Sequence, residues 1–154
     1  MEQSDPRQLL IHVAKTLNQL AIPYAITGGM AVFVWGRPRF TADIDIVVEL
    51  EKWHIADLEK ALKAFGGAGY IDKAMMEEAF AHRSEFNFID GNSGIKVDFW
   101  VMGDDSFSRS KMQRRVPIEF EGEKVYGEKL DKGYLMEWAK KLRVSELLFP
   151  FLQK

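Results

Sequence analysis

Residues 43–50, with the sequence DIDIVVEL, alternate between apolar side chains and a face that carries Asp43, Asp45 and Glu49. A period of two predicts a β-strand with one buried face, and it places both aspartates on the opposite face. A carboxylate in such a strand costs free energy unless a positive group meets it. The plainer interpretation is that the two charges protect an edge strand. If the two aspartates do not serve that purpose, the segment predicts that a positively charged group binds Asp43 and Asp45.

The composition limits the class of protein to which this chain can belong. A chain of 154 residues, 47% hydrophobic and 29% charged, predicts one globular domain with a substantial core. The net charge of −2 argues against a wholly basic surface, so any contact with a polyanion must be local. The absence of cysteine excludes disulfides, thiolate nucleophiles and cysteine-bound zinc. The apolar runs are too short for a membrane span and the N-terminus lacks a signal peptide's apolar core, so we expect a cytoplasmic protein.

Helical and strand periodicities place these aspartates in a larger pattern. Residues 4–20, 51–65 and, more weakly, 72–82 have helical spacing, and residues 23–27 predict a buried strand before Gly28, Gly29 and a short helix at 30–35. Residues 85–90 and 95–102 predict a hairpin, with Gly and Asn of the intervening GNSG supplying positive φ angles. Residues 106–115 predict a turn or short helix, 116–125 a hairpin, and 130–152 a helical end.

The second strand of the predicted 85–102 hairpin carries a third carboxylate. Asp98 lies on the same face as Lys96 and Trp100, opposite the apolar residues. Carboxylates at i and i+2 of one strand, with a third on a neighbouring strand, form the hard oxygen site that Mg²⁺ prefers. Such an ion polarises phosphate oxygens, and the third carboxylate can accept a proton from an attacking hydroxyl. The pattern indicates phosphoryl or nucleotidyl transfer.

Residues upstream of the pair fit a phosphate ligand. A Gly28-Gly29 turn before a helix lets backbone N–H groups approach phosphate oxygens, although such a turn is more often purely structural. Arg37 and Arg39 add guanidinium donors beside the aspartates, and Thr41 offers a hydroxyl or caps the strand. Lys96 is either a phosphate contact or an ion-pair partner of Asp98.

The residues GGMAVFVWGRPRFTADID resemble the signature of the nucleotidyltransferase superfamily, which includes polymerase-β-like enzymes. Gly-Gly, Arg-x-Thr and Asp-Ile-Asp are similar to the branch of abortive-infection-type toxins and lincosamide-type resistance transferases. The resemblance is specific over residues 26–49, and IKVDFW supplies the third acid. It implies that Asp43, Asp45 and Asp98 bind metal, with Asp98 also acting as base. It assigns the triphosphate to Gly28 and Gly29, helped by Arg39 and Thr41, whereas Arg37 and Lys96 are nucleotide-binding candidates from their charge and position alone.

The fold implied is an α/β (α+β) nucleotidyltransferase fold: a small mixed β-sheet with helices packed mainly on one face and a helical C-terminal tail. We expect a single domain over 1–154, with a core at about 8–105 and a short extension at 106–154. The expected activity depends on Mg²⁺ or Mn²⁺ and transfers a nucleotidyl group from a nucleoside triphosphate to a hydroxyl of RNA, protein or a small molecule, in a toxin–antitoxin context or in resistance.

The alternative is a catalytically inactive or partner-dependent module of the same fold, since relatives usually carry a longer helical region after the core. A homodimer or a small helical protein is the expected partner. The basic run SRSKMQRR (108–115) lines the cleft if the acceptor is RNA, whereas a small-molecule enzyme has an enclosed aromatic pocket. Trp35, Trp53 and Trp138 are expected to be core or interface anchors, and Trp100 is expected to pack in the core rather than stack on a base.

Overall fold

The computed structural model describes residues 6–27, 43–65 and 69–127. The helices within these ranges are α1 (Pro6–Gln19), α2 (His54–Lys63), α3 (Lys73–His82) and α4 (Ser106–Gln113). The strands are β1 (Tyr24–Thr27), β2 (Asp43–Val48), β3 (Glu85–Ile89), β4 (Lys96–Val101), β5 (Val116–Phe120) and β6 (Glu123–Gly127). The elements predicted within these ranges are confirmed, and residues 106–115 form a helix. The helices expected at 30–35 and 130–152 lie outside the described residues.

The described strands form one mixed sheet in the order β3-β4-β2-β1-β6-β5. Strands β2 and β4 run parallel, as do β1 and β6, whereas the other neighbouring pairs are antiparallel. The parallel pairing of β2 with β4 positions the site, because it brings two segments that are distant in sequence into register at the centre of the sheet. Strands β5 and β6 extend the same sheet beyond β1.

One face of the sheet carries the core. The apolar residues of β2, namely Ile44, Ile46 and Val48, are fully buried, whereas Asp43 is exposed and Asp45 half-buried. The buried side chains of α1, α2 and α3 join these strand residues in a single hydrophobic cluster. The two-residue alternation therefore has the predicted consequence: apolar residues face the helices, and the aspartates face the other way.

Helix α4 is the exception to the one-sided arrangement. Its buried Met112 forms a small second cluster with Met102 and Ala25, and Val47 packs against it. Val47 lies on the same face of β2 as the aspartates, so α4 partly covers the face opposite the main core. Helix α4 therefore borders the face of the sheet that carries the aspartates.

The turns of the two hairpins have local causes. The Asp90 carboxylate accepts hydrogen bonds from the hydroxyl of Ser93 (2.6 Å) and the amides of Ser93 (3.1 Å) and Asn92 (3.4 Å). Gly94 has a φ of 72°, but Asn92 does not take a positive φ, so that part of the turn prediction was wrong. The β5–β6 turn has positive φ at Glu121 and Gly122, the geometry of a tight two-residue hairpin.

The tryptophan predictions need correction. Trp53, at the start of α2, is 70% exposed and is not a core anchor, whereas its role as an interface anchor stays a prediction. Among the aromatic pairs described, it contacts the His54 ring. Trp35 and Trp138 lie outside the described residues. Across the described ranges, we find no helix with the length and apolarity needed to span a membrane.

Candidate functional site

Four polar side chains form a row across the middle of the sheet. Asp45 of β2 is in register with Asp98 of β4 on one side and with Thr27 of β1 on the other, and Asp98 is in register with Asn87 of β3. Residues in register on neighbouring strands project from the same face of a sheet. These four residues, here named the polar row, therefore share the face opposite the main core.

A second pair of charges flanks the polar row. Asp43 is in register with Lys96, one side-chain position before Asp45 and Asp98 on the same face. The Nζ atom of Lys96 lies 3.5 Å from Oδ2 of Asp98, so the lysine forms the ion pair that was one of its two expected roles. Asp43, Asp45 and Asp98 are thus brought together at the centre of the sheet, with one cation among them.

Asp98 is the most constrained of these carboxylates. It is only 8% exposed, although it lies on the face that carries the exposed Asp43. Burial raises the pKa of Asp98 above its ordinary value of 3.8, and the negative charges of Asp45 and Asp43 raise it further, while Lys96 opposes the shift. The carboxylate is therefore predisposed to take up a proton or to gain from an additional cation.

The donor atoms of this site are suited to a hard divalent ion. Carboxylate oxygens of neighbouring aspartates are the ligands that Mg²⁺ and Mn²⁺ prefer. Within residues 6–27, 43–65 and 69–127, however, no group of three acidic or histidine side chains is close enough to hold a metal as it stands. The chemistry fits the ion, and Asp45 with Asp98 is the pair whose strand register places it best.

An aromatic side chain borders the polar row. Trp100 is two residues beyond Asp98 and on the same face, where its indole Nε1–H donates a long hydrogen bond of 3.5 Å to Oδ1 of Asp45. It is 45% exposed, so the expectation that it packs in the core was wrong. The reason is its parity in β4: Val97, Phe99 and Val101 occupy the core face and turn Trp100 outward.

A cavity lies between β2 and α4. It has a volume of about 210 Å³ and is lined mainly by apolar side chains, among them Val47, Met102, Phe107 and Met112. Val47 is in register with Trp100, which places the cavity one strand from the indole. Phe107 is 70% exposed at its border. The polar row thus lies beside an apolar recess walled by α4.

The basic run that ends α4 is dispersed. Arg115 donates from Nη1 to the carbonyl of Met112 (2.9 Å), and its guanidinium lies 4.9 Å from the centre of the Tyr126 ring. The Nε of Arg114 donates to the carbonyl of Ser110 (3.3 Å). Lys111 lines the cavity near the polar row, whereas the two arginines do not. The run does not form one continuous basic stripe along this face.

The remaining predicted contacts fall outside the described part of the chain. These residues are Gly28, Gly29, Arg37, Arg39 and Thr41. Gly28 nevertheless follows directly after Thr27, the last residue of β1, which is level with Asp45. The chain therefore leaves β1 beside the carboxylates.

Comparison with solved structures identifies the architecture. A lincosamide antibiotic adenylyltransferase, LnuA, in its lincomycin-bound form, superposes with a TM-score of 0.58 at 12% identity, with 99% of each chain covered. The chain has the nucleotidyltransferase fold. ANT(2")-Ia in complex with adenylyl-2"-tobramycin matches with a TM-score of 0.54 at 15% identity, covering 92% of this chain and 86% of that one. A Thermotoga maritima protein named as a nucleotidyltransferase matches with a TM-score of 0.53 at 16% identity, covering 95% of this chain and 91% of that one.

Sequence comparison adds no closer relationship. No protein-family model matches the chain, and no curated protein matches it. The resemblance in residues 26–49 and the structural similarity nevertheless agree on the nucleotidyltransferase fold, which is therefore confirmed, together with its mixed sheet.

Two members of the polar row were missed from the sequence. Thr27 ends the short strand YAIT, and Asn87 lies between two apolar residues in EFNFI. The signal for Asn87 was present, because a polar residue between Phe86 and Phe88 must face away from the core. That it lies beside Asp98 depends on the hairpin register, which the turn sets.

Proposed function

We propose that the protein is a nucleotidyltransferase that uses Mg²⁺, or Mn²⁺ in its place, to transfer the nucleotidyl group of a nucleoside triphosphate to a hydroxyl acceptor. The observation that carries this proposal is the register of Asp45 with Asp98 on adjacent parallel strands, with Asp43 on the same face. The similarity to adenylyltransferase structures supports the proposal at the level of the fold.

In this proposal Asp43, Asp45 and Asp98 hold the metal. A bound ion would neutralise charge on the phosphate oxygens and orient the triphosphate. Gly28 and Gly29 would bind the triphosphate through backbone N–H groups, with Arg37, Arg39 and Thr41 as further donors. Lys96, already paired with Asp98, would balance the charge of the row and contact phosphate.

At the α-phosphorus the reaction forms one bond and breaks one, and a proton moves from the acceptor hydroxyl to a base. The acceptor hydroxyl oxygen bonds to the α-phosphorus, and the bond from that phosphorus to the bridging oxygen of the β-phosphate breaks, releasing pyrophosphate. The hydroxyl proton would pass to the carboxylate of Asp98, which acts as the general base. In the solved relatives the named acceptors are antibiotics. Acceptors of the same kind, RNA and protein are candidates for this chain.

A partner-dependent protein of the same fold is the second candidate. It is favoured by one observation: within the described ranges, no three acidic side chains are placed to hold a metal without adjustment. A second copy of the chain or a small helical protein, as in a toxin–antitoxin pair, would then complete the site.

Calorimetric titration with each of the four nucleoside triphosphates, with and without Mg²⁺, tests the proposal. The Asp43→Ala/Asp45→Ala variant removes two carboxylates from the site. The matched control, Glu77→Ala/Glu78→Ala, removes two exposed carboxylates from α3. We expect Mg²⁺-dependent binding by the wild type and the control and its loss in the site variant. Folded wild-type protein that binds none of the four would refute the proposal for the isolated chain and favour the partner-dependent candidate.

A further inference from the structure

The location of Trp100 relative to the polar row bears on the acceptor. Strand β1 is antiparallel to β2 and ends at Thr27, level with Asp45. Trp100 lies two residues beyond Asp98 along β4, which is about 6.6 Å at the usual rise of a strand. Strand β1 therefore passes the level of Trp100 at Ala25 before it ends level with the carboxylates at Thr27.

The geometry of in-line displacement indicates on which side of the carboxylates the acceptor would bind. The attacking oxygen and the leaving pyrophosphate must lie on opposite sides of the phosphorus. If the triphosphate lies towards Gly28, the attacking hydroxyl approaches from the side of Asp98 and Trp100. The cavity walled by α4 begins on this same side, at Val47.

The chemistry of this side suits an apolar ring. The exposed faces of Trp100 and Phe107 offer aromatic surface, and the cavity of about 210 Å³ has room for one ring rather than a whole large molecule. The register partner of Trp100 on β3 is the exposed Glu85, and Asp45 is within 3.5 Å of the indole nitrogen. Two carboxylates beside the indole disfavour a phosphate backbone at this place.

The positions of the basic residues at 108–115 also bear on whether the acceptor is RNA or a small molecule. An RNA acceptor predicts that the basic run 108–115 lines the cleft. Lys111 of this run lines the cavity, but Arg114 and Arg115 donate to carbonyls of the α4 segment and do not line it. We infer that the acceptor is a small hydroxylated molecule carrying an apolar ring, which stacks on Trp100 and extends towards the cavity between β2 and α4. This inference rests on the proposed nucleotidyl transfer, because that reaction defines which side of the carboxylates receives the acceptor.

Two glucosides that differ only in the group on the anomeric oxygen, phenyl or methyl, test the inference. Phenyl β-D-glucopyranoside carries the same hydroxyls as methyl β-D-glucopyranoside together with one planar ring. Ligand-observed NMR at millimolar concentration, without nucleotide or metal, measures the binding of each. We expect the wild type to bind the phenyl glycoside in preference to the methyl glycoside, and Trp100→Ala to weaken that binding about tenfold, as is usual for loss of a stacking partner.

Matched variants make the result specific. Trp53→Ala removes an even more exposed tryptophan at the start of α2 and is expected to bind like the wild type. Trp100→Phe keeps a ring and is expected to retain part of the binding, which covers the case in which Trp100→Ala fails to fold. Equal binding of the two glycosides, or binding unaffected in either Trp100 variant, would overturn the inference.

A labelled 12-nucleotide single-stranded RNA, followed by fluorescence anisotropy, tests the competing acceptor class. Binding that is tight in the wild type and lost in Trp100→Phe and Trp100→Ala would assign the indole to RNA and overturn the inference. The ring measurement requires no nucleotide, so it fails or succeeds independently of the triphosphate titration. Ring binding without triphosphate binding would refute the proposed activity while leaving a ring site, and the reverse result would refute only the acceptor class.

Discussion

Replacing Asp98 by asparagine is expected to stabilise the protein near neutral pH in the absence of divalent ions. The substitution keeps the shape of the side chain and removes a charge that is 8% exposed and next to Asp45 and Asp43. Neighbouring strands are about 4.8 Å apart. At that separation two like charges repel by about 1 kcal/mol in water and about 3 kcal/mol at an effective dielectric constant of 20.

The net gain is smaller than the repulsion removed. Asp45 is half-buried, which favours the lower part of that range. Lys96, 3.5 Å from Asp98, lowers its pKa more than either neighbouring aspartate raises it, so the ion pair offsets much of this repulsion and burial is the main penalty on the charge of Asp98. A gain of about 1 kcal/mol remains, which would raise the melting temperature of a domain of this size by roughly 2–4 °C.

The stability advantage of Asp98→Asn is expected to depend on pH, and the direction of that dependence follows from the raised pKa of Asp98. Because the pKa of Asp98 is raised in the folded state, folding is penalised only where Asp98 is ionised, and the penalty grows as the pH rises from the ordinary value of 3.8 through the raised pKa. The advantage of Asp98→Asn is therefore expected at pH 7 and should vanish at low pH. Thermal melts followed by circular dichroism across this range measure it.

Asp90 provides the control. It is also buried, at 2% exposure, but its carboxylate accepts hydrogen bonds from Ser93 and Asn92. Asp90→Asn should lower the melting temperature, because an amide replaces a carboxylate that the turn satisfies. If Asp98→Asn also lowered the melting temperature at pH 7, the argument that burial and the neighbouring aspartates penalise the ionised form of Asp98 would be refuted.

Further predictions concern the site and the core. Added Mg²⁺ should raise the melting temperature of the wild type by binding to the folded state, and this gain should be lost in Asp45→Asn, as thermal melts at several Mg²⁺ concentrations would detect. Nucleotidyl transfer by the wild type should fall once the pH is low enough to protonate Asp98, because a protonated carboxyl can neither bind Mg²⁺ nor accept the hydroxyl proton; a pH–rate profile without an acidic limb would contradict this. Phe99→Ala, in the middle of β4 and fully buried against Phe86, should lower the free energy of unfolding in urea by about 3–5 kcal/mol, whereas the same change at exposed Phe107 should have little effect.

Much of the local structure was predictable, for a simple physical reason. The alternation in DIDIVVEL and KVDFWV needs only neighbouring residues to define two faces, and the structure buries the apolar face in both strands. The helical spacing of residues 54–63 and the turn residues before β4 likewise act over short distances. Asp43, Asp45 and Asp98 could therefore be assigned to one face of each strand before any tertiary contact was known.

The sequence by itself determined the secondary structure, the buried faces and the acidic character of the open face. The tertiary structure decided the partners: Asp45 meets Asp98 because β2 and β4 pair in parallel, and Thr27 and Asn87 complete the row through two further registers. It also decided that Trp100 is exposed beside a recess and that Arg114 and Arg115, directly after α4, donate to carbonyls of that helix. Strand order and register depend on how helices and strands pack over long separations in the chain, and no local pattern in a single sequence contains that information.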